Sequence, residues 1–289
     1  IYNKNTMIKD IDTNIVYLAD KLKIKYPDFF HRFTHLLNIM DIKWNLIPHT
    51  KDIWVRDFMP IQTANGEFLQ YNYKPDYLQD NQSIRLQSDP SYICESMQLN
   101  CKKTDIIIDG GNITICDNRI VMTDKVFADN HKEKNDTSFK KLLENFLGHE
   151  IIIIPWHCIN PDDEYADIFG HSDGFTHWCE DNRVLMSNHR DFDAEEAKRI
   201  REIMESFSYQ VTEMLFDVKN PKTDWNWAYI NYLQVGQKII MPSFGIPEDR
   251  QALSYVEKAN PNCEVRQIRM KDIATYGGAL HCITWNIRQ

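Results

Sequence analysis

Apolar positions along the chain switch repeatedly between two periods. Stretches 28–40, 90–99, 137–147, 194–207 and 248–258 carry apolar residues at helical spacing. Stretch 194–207 has the clearest signature, with Asp191 and Asp193 near its start and Ala197, Ile200, Ile203 and Met204 on one face. Each predicted helix is followed by a short strand-like run, at 42–47, 105–108, 150–154, 210–216 and 264–268. After these runs come segments that share a pattern: an alternating strand, a polar turn ending in Arg or Lys, and an apolar triplet ending in Met. Residues 111–123 (GNITICDNRIVMT), 174–187 (GFTHWCEDNRVLMS) and 229–242 (YINYLQVGQKIIMP) all fit it. Residues 58–70 form a looser copy, with Asn65-Gly66 as the turn signal.

The chain therefore reads as five helix–strand–hairpin modules. The fifth hairpin, opening at 276–282, has only one strand; a partner from elsewhere in the chain would close a ring. Helices alternating with strands predict an α/β fold. A repeat of about 50 to 60 residues predicts a radial arrangement of modules. No linker or boundary interrupts the pattern, so residues 1–289 are expected to form one domain.

Composition adds exclusions. Of 289 residues, 43% are hydrophobic, enough for a substantial core, and net charge is -9. A diffuse negative balance argues against nucleic acid, whose phosphates require basic patches. It suits a cationic ligand. No run reaches transmembrane length and no signal-peptide pattern is visible, so no membrane partner and a cytoplasmic location are expected. The chain begins at Ile1 rather than Met, which raises the expectation that an upstream segment was removed. Seven cysteines, scattered without CxxC spacing, suggest reduced thiols rather than a disulfide framework or zinc site. Self-association as a homo-oligomer is compatible with the sequence.

The unusual polar residues sit at one place in every module, the start of the hairpin. They are Trp54-Val-Arg56-Asp57, Asp109-Gly-Gly-Asn112, Gly170-His171-Ser-Asp173-Gly174, Trp225 to Asn231, and Gly277-Gly278-Ala-Leu-His281-Cys282. Individually these are weak. Asp-Gly-Gly is ordinarily only a turn, and a lone Cys is ordinarily a small core residue. In a radial fold, however, all five points converge on the axis, which makes a catalytic constellation.

The chemistry follows from the residue types. The carboxylates Asp57 and Asp173 suit a planar cation with several N–H donors, such as a guanidinium. Its carbon is a poor electrophile, and a thiolate is the side-chain nucleophile best suited to it, which points to Cys282. His171 would protonate departing ammonia and then activate water.

These motifs, with Pro60 and the Cys282-Ile-Thr284 ending, resemble the agmatine deiminase / bacterial peptidylarginine deiminase family of the guanidino-group-modifying superfamily, over essentially the whole chain. The resemblance implies a five-module, pseudo-symmetric α/β propeller of the pentein type with its site on the axis. It implies hydrolysis of a guanidino group to a ureido product and ammonia through a covalent Cys282 thiouronium, without metal or organic cofactor. Asp57, Asp173 and His171 take the roles above, and Trp54, Asp109, Asn231 and Gly278 are substrate-binding positions. The substrate would be agmatine, or alternatively free or peptidyl arginine. Two departures bear on specificity: Met59 stands where family members often have Gly, and Trp285-Asn286 stands where agmatine deiminases commonly have Gln-Gln. Lys74 is a candidate partner for a substrate carboxylate, though a solvated surface role suits it better.

Amidino transfer to an amine is a close variant. Two remoter readings are a metallohydrolase using His171, Asp173 and His177, with His31 and His35 as a further ligand pair, and an inactive propeller that only binds. Finally, if Cys282 lies on a central strand, alternation turns His281 to the opposite face, leaving His171 as the base.

Overall fold

The computed structural model describes residues 6–157, 167, 169–219 and 225–289. Of the seven cysteines, Cys158 lies outside the described residues, and the other six are free thiols.

Fifteen strands form five three-stranded sheets among the described residues. Four sheets repeat one plan. In the first, β3 (Ile61–Gln62) and β4 (Phe68–Asn72) form an antiparallel hairpin and β5 (Cys101–Ile107) adds in parallel to β4. The second contains β6 (Thr114–Cys116), β7 (Arg119–Thr123) and β8 (Glu150–Ile154). The third contains β9 (Thr176–Trp178), β10 (Arg183–Met186) and β11 (Gln210–Glu213), and the fourth β12 (Leu233–Val235), β13 (Lys238–Ser243) and β14 (Glu264–Arg269). The fifth sheet joins the two ends of the chain. β15 (Thr284–Ile287) pairs antiparallel with β1 (Ile15–Ala19), and β2 (Lys43–Ile47) pairs in parallel with β1.

The missing strand of the last hairpin is thus β1, the fully buried run Ile-Val-Tyr-Leu-Ala. The five-module α/β plan agrees with the sequence reading, but its phase differs. The strand after each helix pairs with the hairpin before it, not the one that follows. A parallel partner needs a long crossover, and the helix supplies it, whereas adjacent antiparallel strands need only a turn. Each sheet is therefore hairpin, helix, strand.

The crossover helices are amphipathic with local start and stop signals. In Thr137–Leu147, Asp136 accepts hydrogen bonds from the Ser138 and Phe139 amides, and Gly148 ends the helix at φ 72°. Phe139, Leu143, Phe146 and Leu147 are buried along its inner face, each worth about 1.5–3 kcal/mol of apolar burial. In Ala194–Ser206 the cap is Asp193, and Ala197, Ile200 and Met204 are buried while Ile203 packs at the margin.

At the axial end of each sheet lies a short turn: helix Val55–Phe58, 3-10 turns Gly110–Asn112, Ser172–Gly174 and Asn226–Ile230, and residues 280–283. Successive turns touch one another. His281 N donates to Asn231 O at 3.1 Å, and Arg56 N donates to Cys282 O at 3.1 Å, which closes the circle.

Candidate active site

The ring of turns brings Cys282, Asp173, Asn231, His171, Asp57 and Asp109 together, all more than nine-tenths buried. Cys282 does not lie on a strand. It sits in the turn before β15, and β15 is an edge of its sheet rather than a central strand. The turn is rigid for another reason: Asn231 Oδ1 accepts from Ala279 N at 3.2 Å and from Cys282 N at 3.3 Å. Asn231 therefore acts on the Cys282 backbone.

His281 departs from expectation. Strand alternation would face it away from Cys282, but no strand exists at this point. In the turn both side chains meet one carboxylate: His281 Nδ1 donates to Asp173 Oδ2 at 2.6 Å, and Cys282 Sγ lies 3.8 Å from the same oxygen. Behind His281, Asp10 Oδ2 lies 3.8 Å from Nε2. Sequence reasoning missed Asp10 because only closure of the ring carries the N-terminal segment to the axis.

A second histidine–carboxylate group faces the first. His171 Nε2 donates to Asp109 Oδ2 at 3.1 Å, and its Nδ1 lies 3.7 Å from Asp57 Oδ1. Tyr77 also donates to Asp109 Oδ2, at 2.9 Å, and Phe169 packs on Tyr77 at 5.0 Å between centroids. Neither aromatic was flagged in the sequence, since both fall in loops outside the repeat.

The glycines of the motifs mark close approaches. A Cβ on Gly111 would lie 2.5 Å from His171 Nδ1 and 2.9 Å from Asp57 Oδ1. One on Gly278 would lie 2.3 Å from Trp54 Cζ3, so Gly278 makes room for the indole that edges the site. Met59 and Trp285 are core residues. Met59 O accepts from Tyr71 OH, and Trp285 Nε1 donates to Pro60 O at 2.7 Å. Asn286 accepts from the Arg56 guanidinium.

Burial and charge set the protonation states. Burial pushes Asp57 up to about 7; nearby Asp109 and Asp173 add to this, against the opposing pull of His171. Burial disfavours a charged His171, but Asp57, Asp109 and Asp173 outweigh it and raise the imidazole to about 10. Burial likewise opposes ionisation of Asp173, yet His281, His171 and Arg56 hold its carboxyl below the ordinary value. Burial, then Asp173 and Asp57, drive the Cys282 thiol well above its ordinary range. A cation between the carboxylates reverses that last effect. Asp57 Oδ1 is buried without a hydrogen-bond partner, an unused acceptor 3.7 Å from His171 Nδ1.

The set His171, Asp173 and His177 does not assemble as a metal site. His177 stacks on Tyr232, 4.0 Å between centroids, and its Nε2 is 3.4 Å from Gln234 Oε1. Burial pushes it down to about 4. His31 and His35 are exposed on their helix, as is Lys74.

The sequence model of the Porphyromonas-type peptidyl-arginine deiminases matches residues 14–287. The chain belongs to this family. Among curated relatives, agmatine deiminase from Pseudomonas aeruginosa is 24% identical over 213 residues, covering 62% of this chain and 56% of that protein. Agmatine deiminase from Pseudomonas fluorescens is 35% identical over 66 residues, covering 23% of this chain and 18% of that one. These matches span little more than half of the relatives' length or less.

Solved structures extend the likeness of fold. The C. jejuni agmatine deiminase superposes with a TM-score of 0.76 at 17% identity, covering 98% of this chain and 96% of that one. A DDAH from Pseudomonas aeruginosa complexed with citrulline superposes at 0.59 with 12% identity, covering 95% and 99%. The family member described here thus has the pentein-type propeller, with the five axial turns on its axis.

Proposed function

We propose that this protein hydrolyses the guanidino group of agmatine, or of a closely related alkylguanidine, to a ureido product and ammonia, with residues 1–289 acting as one catalytic domain. One observation carries the reading: a buried thiol stands against two carboxylate groups, one with an unpartnered oxygen, in a ring that also holds a proton-bearing imidazole. The names of the relatives agree with it.

The proposed steps follow from the electrostatics. The guanidinium binds between Asp57 and Asp173, and its charge favours loss of the Cys282 proton to solvent. The thiolate adds to the guanidinium carbon. The His171 imidazolium protonates one amino nitrogen and ammonia leaves, giving the thiouronium. His171, now neutral, takes a proton from water, which adds to the same carbon. The adduct's hydroxyl proton passes to solvent as the C–S bond breaks, the ureido product departs and the thiolate is restored. Trp54 flanks the alkyl stem, and Asp109 holds His171.

Agmatine is favoured over arginine because, among the described residues, the cations Arg56 and Lys125 beside the ring are already engaged. Arg56 is committed to Asn286 and to His281 O, and Lys125 to Asp76 and Asp129. Purified protein incubated separately with agmatine, arginine and an arginyl peptide, with ammonia and ureido product measured, tests this. Ammonia release chiefly from agmatine is expected. Release from the peptide alone would reverse the substrate order, and release from none would overturn the activity. An added acceptor amine that captured the amidino group would convert the assignment to a transferase.

A further inference from the structure

We propose that His157, Asp193 and Glu196 form a divalent-cation site of the Zn2+ type, separate from the catalytic ring. One donor atom from each lies within 4.8 Å of the others. Asp193 and Glu196 open the helix Ala194–Ser206, and His157 follows β8 of the neighbouring sheet.

Three features distinguish this cluster from an ordinary ion pair. First, Glu196 is 2% exposed, yet its Oε1 has no hydrogen-bond partner. His157 Nδ1 is 3.1 Å away but not aligned for a hydrogen bond. That is the relation of two ligands aimed at a common third point. Bonds of about 2.0–2.1 Å to a tetrahedral ion put ligand atoms about 3.4 Å apart. Second, the other oxygen of Glu196 is fixed: His189 Nε2 donates to Oε2 at 2.6 Å. A ligating carboxylate is held in place by a hydrogen bond to its other oxygen, as here. Third, two carboxylates and one imidazole are the mixed N/O set that Zn2+ accepts. The His157 side chain is 41% exposed, which leaves a way in for the ion and a fourth position for water.

The site would act as a clamp. Next to His157, Trp156 Nε1 donates to Asp167 O at 3.1 Å, and Asp167 Oδ1 accepts from the Phe169 and Gly170 amides. Phe169 and His171 belong to the catalytic ring. A bound cation would therefore tie this strand exit to the next sheet's helix, a short distance along the chain from the imidazole.

The test is titration of metal-free protein with Zn2+, followed by calorimetry and thermal unfolding, with Co2+ as a spectroscopic probe. One equivalent is expected to bind and raise Tm. Co2+ should give d–d bands without the intense near-ultraviolet band of thiolate ligation, which separates this site from the cysteines. His157→Ala, at a half-exposed position, should fold normally and weaken Zn2+ binding by about tenfold or more. Glu196→Gln, which keeps the side chain's shape, should do the same. Equal Zn2+ affinity in wild type and His157→Ala, a thiolate band with Co2+, or no binding below millimolar Zn2+ would each overturn the proposal.

Discussion

Two histidine–carboxylate groups flank Cys282, and they differ in how they are wired. His281 has its Nδ1 on Asp173 at 2.6 Å, and that carboxyl is held ionised. His171 stands between Asp57 and Asp109, with Asp57 lifted to about 7 and the imidazole to about 10. The first group is a settled hydrogen bond to an ionised carboxylate within the ring. The second is a poised one, where three acids crowd one base and protonation depends on what else is bound. We propose that the settled pair orients the substrate and that the poised pair moves protons, since perturbed titratable groups cluster where protons are transferred. In the proposed mechanism, adjacency in the chain, His281 beside Cys282, marks the positioning partner rather than the proton carrier.

Substitutions can break or sharpen that contrast. The largest effect is expected from Cys282→Ser, which should leave no turnover above background while substrate still binds, read by ammonia release and by equilibrium binding. His171→Ala comes next, with kcat lowered by about 10²–10⁴. His281→Ala should act mainly on binding: Asp173 loses its strongest partner, so KM should rise with a smaller change in kcat. If His281→Ala abolished kcat and His171→Ala spared it, the two roles would have to be exchanged.

The pH profile tests the same contrast without mutation. Asp57 must be ionised to hold a guanidinium, so kcat/KM should rise as pH passes about 7. His171 must carry its proton to expel ammonia, so kcat/KM should fall as pH passes about 10. The two groups face each other, so the limbs describe the pair. In Asp57→Asn the lower limb should vanish along with most substrate affinity. The smallest effect is expected from Trp54→Ala, which removes an aromatic face beside a cationic substrate. KM should rise by about 2- to 30-fold with kcat nearly unchanged.

Much of this was legible in the sequence because the repeat is a local pattern. The hairpin at 111–123 and the helix 137–147 depend on turn residues, caps and period, and each was read nearly to the residue. The shared position of Asp57, Asp109, His171, Asn231 and Cys282 in successive modules was enough to gather them. Pairing partners were less legible. The helices and strands were found, but which hairpin each strand joins depends on crossover geometry, and the phase came out one element late. His281 was misplaced for a related reason: strand alternation was extended back before the start of β15 into a turn, where it has no force.

The sequence by itself determined the elements, the five-fold repeat and the residue types collected at the axis, because these rest on short-range spacing and on chemistry. Only the tertiary structure decided that β1 completes the last sheet, that Asp10 backs His281, and that Asp173 is shared by His281 and Cys282. Those relations join residues more than a hundred positions apart. They exist only when the ring closes, and no periodicity along a single strand or helix encodes where a ring will close.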